Sequence, residues 1–377
     1  MEKCSQMIEK IKKTIFWRAL RKIKWLCTEW PLNRYEKRFN GKPLNAVQGK
    51  IQKAIKKRSD IYFRDEETAR ELANNWNGVI SKPQDLHFIE NAIPIVLSAN
   101  EAFAPYMAVT LQSLLNNSNN KRKYHFIILE RDFSEETKEL LINQVSNFSY
   151  CVIDFVNTAK ALNEISTVSL AEYLSIDTFS RLFIPYWFDQ YEKVIYLDSD
   201  MIAKVDIAEL YDIDISNFCL GAAVDQVVEG FLKSKNNAWF IRASPVFMLH
   251  QNWHRYFNAG ILVFDTQRFK SKFSAQDLFS FTIYFINRYK NHWADQEVLN
   301  LLTKDDYYVL PPEWNYMWTV LTKNGSFQPS KSNTKIIHFT SDVKPWKDDP
   351  RIDNNVDALE WRKLAENVPL SMMADRE

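Results

Sequence analysis

From residue 93 onward, short apolar runs alternate with segments whose apolar residues recur at helical spacing. "IPIVLSAN" (93–100) reads as a buried strand, with Pro94 at its first positions, where a missing backbone donor is tolerated. "APYMAVTLQSLLNNS" (104–118) follows as a helix and "KYHFIILER" (123–131) as a strand. "SEETKELLINQV" (134–145) opens on a serine placed to cap a helix, and "YCVIDFV" (150–156) is the next strand. "TFSRLFIPYWFDQY" (178–191) then reads as a helix and "KVIYLD" (193–198) as a strand. This alternation predicts an α/β fold with a mostly parallel central sheet buried on both faces. Ligands of such open sheets sit at the carboxyl ends of the strands.

The strand over 193–198 runs straight into Asp198-Ser199-Asp200. In extended backbone, residues i and i+2 share a face, so the two carboxylates converge. Two ionised carboxylates that close repel, and burial sharpens the repulsion, so a cation is the economical partner. Carboxylate oxygens suit magnesium, calcium or manganese, and an added imidazole tilts the choice from calcium toward manganese. The plainer alternative is a cap and a turn at a strand end. A haloacid-dehalogenase-type phosphatase also places Asp-x-Asp after a buried strand. Ile202, however, stands where its Thr or Val would follow, and at least three strands precede the pair here.

Composition removes several classes. The chain has 377 residues but only 7 glycines, and neither GxGxxG nor GxxxxGK[ST] occurs, so no glycine-rich phosphate cradle is available. Cys4, Cys27, Cys151 and Cys219 form no CxxC pair, which excludes a zinc ribbon and a disulfide framework and favours the cytoplasm. Aromatic residues reach 14%, a richness shared by carbohydrate sites, membrane interfaces and large cores.

The net charge of +1 hides an asymmetry. Residues 1–64 carry 18 Lys/Arg against 5 Asp/Glu, so the remainder of the 48 and 47 is 30 against 42. Within this basic head, residues 8–30 repeat Ile8, Ile11, Ile15, Ala19, Ile23, Leu26 and Trp30 at helical spacing among lysines and arginines. Its apolar runs fall short of the ~20 residues of a spanning helix and form no signal-peptide core. A basic amphipathic helix of this kind fits the surface of an anionic membrane, here the inner face of the cell membrane. Docking on protein is the alternative, and the acidic body argues against nucleic acid. Residues 31–92 read as a connecting region, mostly helical or irregular, and 351–377 as a C-terminal tail.

Four stretches in order carry a resemblance: 97–115, 179–202 with its "LDSD", "FNAGILVFD" (257–265) with "WADQEVLN" (293–300), and "IIHFTSDVKPW" (336–346). Over roughly residues 93–350 the sequence resembles the retaining glycosyltransferases of family 8, which include lipopolysaccharide galactosyl- and glucosyltransferases and glycogenin. That resemblance implies a GT-A domain using a UDP-sugar, UDP-glucose or UDP-galactose, with Mn2+ or Mg2+. It implies a hydroxyl acceptor on a glycan or glycolipid, such as lipopolysaccharide or a capsule precursor. Asp198, Asp200 and His338 match the metal ligands. Ala99, Asn100, Phe103, Arg181, Asp198, Ser199, Asn258, Ala259, Asp295, Gln296 and Lys344 match the nucleotide-sugar site, with Asp295, Gln296 and Lys344 in catalytic positions. Gly260 would permit close backbone approach. Asn100 and Phe103 depart from an Asp and a Tyr frequent in the family, and Ser341 replaces a common glycine. A glycogenin-like, protein-glycosylating or inactive glycan-binding relative is the alternative implied function.

Overall fold

The computed structural model describes residues 87–163, 176–233, 252–288, 294–318 and 329–369, with Glu71, Ala73 and Asn74. The basic segment 8–30 and nearly all of 31–92 lie outside the described residues.

Seven strands form the central sheet: β1 (Ala92–Ser98), β2 (Lys123–Glu130), β3 (Cys151–Asn157), β4 (Lys193–Leu197), β6 (Leu220–Val224), β7 (Phe257–Asp265) and β8 (Tyr308–Val309). Their order is β3-β2-β1-β4-β7-β6-β8. β1 pairs in parallel with β2 and β4, β2 with β3, and β6 with β8, so β7 alone runs against the rest. Pro94 lies opposite His125 of β2, while pairing with β4 begins only at Ile95, so the proline costs that ladder nothing.

Strand side chains alternate between two cores, as a two-residue period requires. Ile93, Ile95 and Leu97 of β1 and Ile195 and Leu197 of β4 pack on one face, with the helices Ala104–Asn117 and Glu135–Ser146. Val96, Val194 and Tyr196 face the other side, beneath Phe183, Trp187, Phe269 and Phe279. Ser134 caps its helix as its position predicts, accepting from the Thr137 amide at 3.1 Å.

Two stretches differ from the pattern reading. Residues 178–191 are not one helix: a 3-10 segment, Ile176–Phe183, passes into a single α turn, Ile184–Trp187. Pro185 has no N–H to return to the carbonyl four residues back. The guanidinium of Arg181 also takes the Thr178 carbonyl at 3.1 Å. The stretch after 350, read only as a tail, contains the helix Val356–Ala365, which buries Ala358 and Trp361 in the first core. No helix among the described residues is long and apolar enough to cross a membrane.

A second sheet of three short strands sits at the carboxyl end of β4, in the order β5 (Met201–Ala203), β10 (Ile336–His338), β9 (Tyr316–Met317). Its antiparallel β5–β10 pairing sets His338 opposite Met201, one residue past Asp200.

Candidate functional site

β4 stops at Leu197, and Asp198, Ser199 and Asp200 make the turn into β5. The turn is tied at both ends: the Asp198 amide donates to Gly260 O at 2.8 Å and the Phe339 amide to Asp200 O at 3.0 Å. Ser199 is spent on structure, its hydroxyl on Ser98 O at 2.6 Å and its carbonyl on Thr110 at 2.9 Å. The β5–β10 register then brings His338 to the pair. Nε2 of His338 stands 3.2 Å from Asp200 Oδ1 and 3.6 Å from Asp198 Oδ2. Among the described residues these three form the one group with the spacing of a metal-ligand set, all three atoms lying within 4.8 Å of one another.

The outer oxygens of the carboxylates are held by donors. Asp198 Oδ1 receives the Tyr196 hydroxyl at 2.8 Å and Arg181 at 3.0 Å. Burial raises the Tyr196 pKa well above its usual value, so its hydroxyl stays a neutral donor. Asp200 Oδ2 receives Lys344 Nζ at 2.7 Å. Burial works to raise the Asp200 pKa, but Lys344 and His338 outweigh it and hold the carboxyl well below the usual range. Arg181 is itself buried, lying over the Tyr196 ring at 4.6 Å and pairing through Nε with Asp295 at 2.9 Å. It is a bridge between two carboxylates, not a surface ion pair.

Asn258 and Ala259 reach the site through an irregularity in β7. Ala222 pairs with Leu262 but Val224 with Phe257, so two steps along β6 match five along β7. The displaced segment is buttressed by Gln296, whose Oε1 accepts from the Ala259 amide at 3.0 Å and from Asn258 at 3.2 Å. Gln296 Nε2 in turn donates to Asp225 and to the Tyr256 hydroxyl, each at 3.3 Å. Asp295 takes the Thr178 hydroxyl at 2.5 Å beside its pair with Arg181, and burial raises its pKa.

A cavity of about 210 Å³ opens at the carboxyl ends of β1 and β4. Its walls include Ala99, Asn100, Phe103, Arg181, Asp198 and Ser199. Asn258, Ala259, Asp295, Gln296 and Lys344 are not among its lining residues. Asn100 is partly committed, since its Oδ1 caps Phe103 N at 3.0 Å, whereas the Phe103 ring is 42% exposed at the mouth. A larger groove of about 730 Å³ lies at the other end of β4, beside Lys193 and Asp265. There Lys193 is already satisfied by the Tyr211 and Ile213 carbonyls, each at 2.8 Å. The smaller cavity, beside the only metal-ligand constellation among the described residues, is the candidate site.

The sequence model of glycosyl transferase family 8 matches residues 94–350. The chain belongs to that family. Among its family 8 relatives, a Haemophilus influenzae protein bearing a glycosyltransferase name is 28% identical over 263 residues, covering 67% of this chain and 72% of the relative. The lipopolysaccharide 1,2-glucosyltransferase of Escherichia coli is 30% identical over 161 residues, 41% of this chain and 44% of that protein. Two solved structures share the GT-A fold. The bifunctional glycosyltransferase WbbM superposes with TM-score 0.61 at 22% identity, over 79% of this chain and 53% of WbbM. The galactosyltransferase LgtC, solved with donor and acceptor sugar analogues, gives 0.55 at 21%, over 73% of this chain and 96% of LgtC.

Several residues of the candidate site carry no distinct sequence signal. Tyr196 reads as one more apolar strand residue, and Asn315 as part of a loop. Asp225 had a signal, because it follows β6 as Asp198 follows β4.

Proposed function

We propose that this family 8 protein transfers a hexose, glucose or galactose, from a UDP-sugar to an acceptor hydroxyl, with a divalent cation and with retention at the anomeric carbon. The observation that carries the proposal is the convergence of Asp198, Asp200 and His338 beside the cavity at the carboxyl ends of β1 and β4.

The three groups fit a cation on structural grounds. Two carboxylate oxygens and one imidazole nitrogen are donors that Mn2+ or Mg2+ accept. The backbone opposite them is glycine: a Cβ on Gly260 would lie 2.2 Å from His338 Cε1 and 2.8 Å from Asp198 Oδ2. When bound, such an ion supplies positive charge for a diphosphate leaving group.

Lys344, next to Asp200, is placed to add a second charge where the leaving UDP turns negative. Ala99, Asn100 and Phe103 hold the uridine at the cavity mouth, the ring of Phe103 offering a stacking face. Arg181 keeps Asp198 and Asp295 in place, and Gln296 holds Asn258 and Ala259 of β7 behind the donor sugar rather than facing it. Asp295 is a poor free nucleophile, since its Oδ1 takes the Thr178 hydroxyl, its Oδ2 is ion-paired with Arg181 at 2.9 Å and the residue is only 3% exposed. Front-face transfer fits better. The anomeric C–O bond to the β-phosphate breaks, the acceptor oxygen bonds to that carbon on the same face, and the departing phosphate takes the acceptor proton.

The test is UDP release from a panel of UDP-sugars with Mn2+ and Mg2+. Turnover lost in Asp198→Ala is expected, whereas no turnover with any donor would sink the assignment. A covalent sugar trapped on Asp295 would overturn the front-face route. The acceptor is proposed to be a glycolipid or lipopolysaccharide-type glycan, reached by residues 8–30 lying on the inner leaflet. Co-sedimentation with anionic vesicles should be lost on removing residues 1–30, and equal binding by both forms would refute the attachment.

A further inference from the structure

Asn315 ends the 3-10 turn Pro312–Asn315 and is only 1% exposed. Its Oδ1 lies 3.0 Å from His338 Nδ1, and its Nδ2 donates to Asn258 Oδ1 at 3.0 Å. The orientation of these amides follows from backbone donors. Gly260 N–H donates to Asn258 Oδ1 at 3.0 Å, which fixes that atom as oxygen. The Asn315 atom facing it must then be the NH2, so its carbonyl faces His338. An amide oxygen only accepts, and Nδ1 of His338 therefore carries the proton. In the neutral imidazole that can bind a metal, the lone pair is then on Nε2, the nitrogen that faces Asp198 and Asp200.

We infer that Asn315 is a positioning residue with two linked tasks: it sets His338 as an Nε2 ligand, and it ties that ligand to Asn258. This rests on the metal and donor roles proposed above. Its backbone is held independently of both tasks: Asn315 O accepts from Gln226 at 3.0 Å, and β9, which starts at the next residue, pairs with β10 through Met317 and His338. The side chain is thus presented by a frame that does not need it. Loss of such an outer hydrogen bond to a ligating histidine typically weakens metal binding by about 10–100-fold.

Two substitutions separate the tasks. Asn315→Leu removes both bonds. Asn315→Asp keeps an acceptor for Nδ1–H but sets a carboxylate oxygen against Asn258 Oδ1. With Mn2+ binding followed by electron paramagnetic resonance in the presence of UDP, the Leu variant should bind ~10–100-fold more weakly. The Asp variant should bind as the wild type does while its kcat for donor hydrolysis falls. Wild-type Mn2+ affinity in Asn315→Leu, or equal metal loss in both variants alongside equal loss of thermal stability, would overturn the inference. Wild type binding no better than Asp198→Ala would sink the metal reading instead. The tautomer answers separately: 15N spectra of the metal-free wild type should show His338 protonated at Nδ1, and an Nδ1 without a proton would refute the assignment.

Discussion

Replacing Gly260 by alanine tests the site through one methyl group. The added Cβ would lie 2.2 Å from His338 Cε1 and 2.8 Å from both His338 Nδ1 and Asp198 Oδ2. Ordinary carbon contacts begin near ~3.5 Å, so the imidazole must retreat by roughly 1 Å or more. Its bond to Asn315, now 3.0 Å, then breaks inside the protein. Overpacking costs about 1–3 kcal/mol, and a buried polar group left unpaired costs about 1–3 kcal/mol more. The expected loss is ~2–6 kcal/mol, a Tm lowered by roughly 3–8 °C for a chain of 377 residues. Displacing the ligand itself should weaken Mn2+ binding by ~100-fold or more, at or beyond the loss of an outer partner. Gly221→Ala is the control: its Cβ would meet Ile215 Cγ2 at 3.3 Å and no site residue. Thermal melts and Mn2+ titrations of the two variants decide the matter. Wild-type metal affinity in Gly260→Ala would refute the reasoning, because the methyl cannot coexist with His338 where it stands.

Arg181→Met strips the buried partner from Asp295 and should cost ~3–5 kcal/mol. Burial already raises the Asp295 pKa, so in the variant the ionised form is the destabilising one. The deficit in thermal melts should shrink as pH falls toward about 4, where the unfolded carboxyl also protonates, and a pH-independent deficit would contradict this. Trp346 stacks on Tyr106 with centroids 4.0 Å apart, two residues beyond Lys344. Trp346→Ala should lose about 0.5–1.5 kcal/mol beyond area burial and weaken UDP binding more than Mn2+ binding; calorimetry showing both unchanged would count against a role for the stack. Burial pushes the Asp154 pKa up, but hydrogen bonds from His125 and His87 outweigh it and leave the carboxyl low. Its stabilisation is therefore full above the unfolded carboxyl pKa of about 4 and fades below it, so the Tm gap between wild type and Asp154→Asn should close only in acid.

Much of this protein was legible as a sequence because the relevant signals are local. Short apolar runs marked β1, β2, β3 and β4, and a capping serine marked the helix Glu135–Ser146. The end of β4 marked Asp198 and Asp200 as a candidate cation site by their position and charge alone. The helix expected over 178–191 failed at Pro185 and Arg181, where a missing donor and a competing side chain broke the repeat.

Which distant residues meet those carboxylates was decided only by the tertiary structure. His338 sits on a three-residue strand, too short to show a period, and reaches the pair through the β5–β10 register. Asn258 enters through extra residues in β7 that become visible only against β6. Gly260 reads in the sequence only as a place for close backbone approach, and the fold shows that His338 and Asp198 are what come close. Apolar periodicity records which face of an element is buried. Contacts between chain segments 140 residues apart depend on how short strands pair once the core has closed around them.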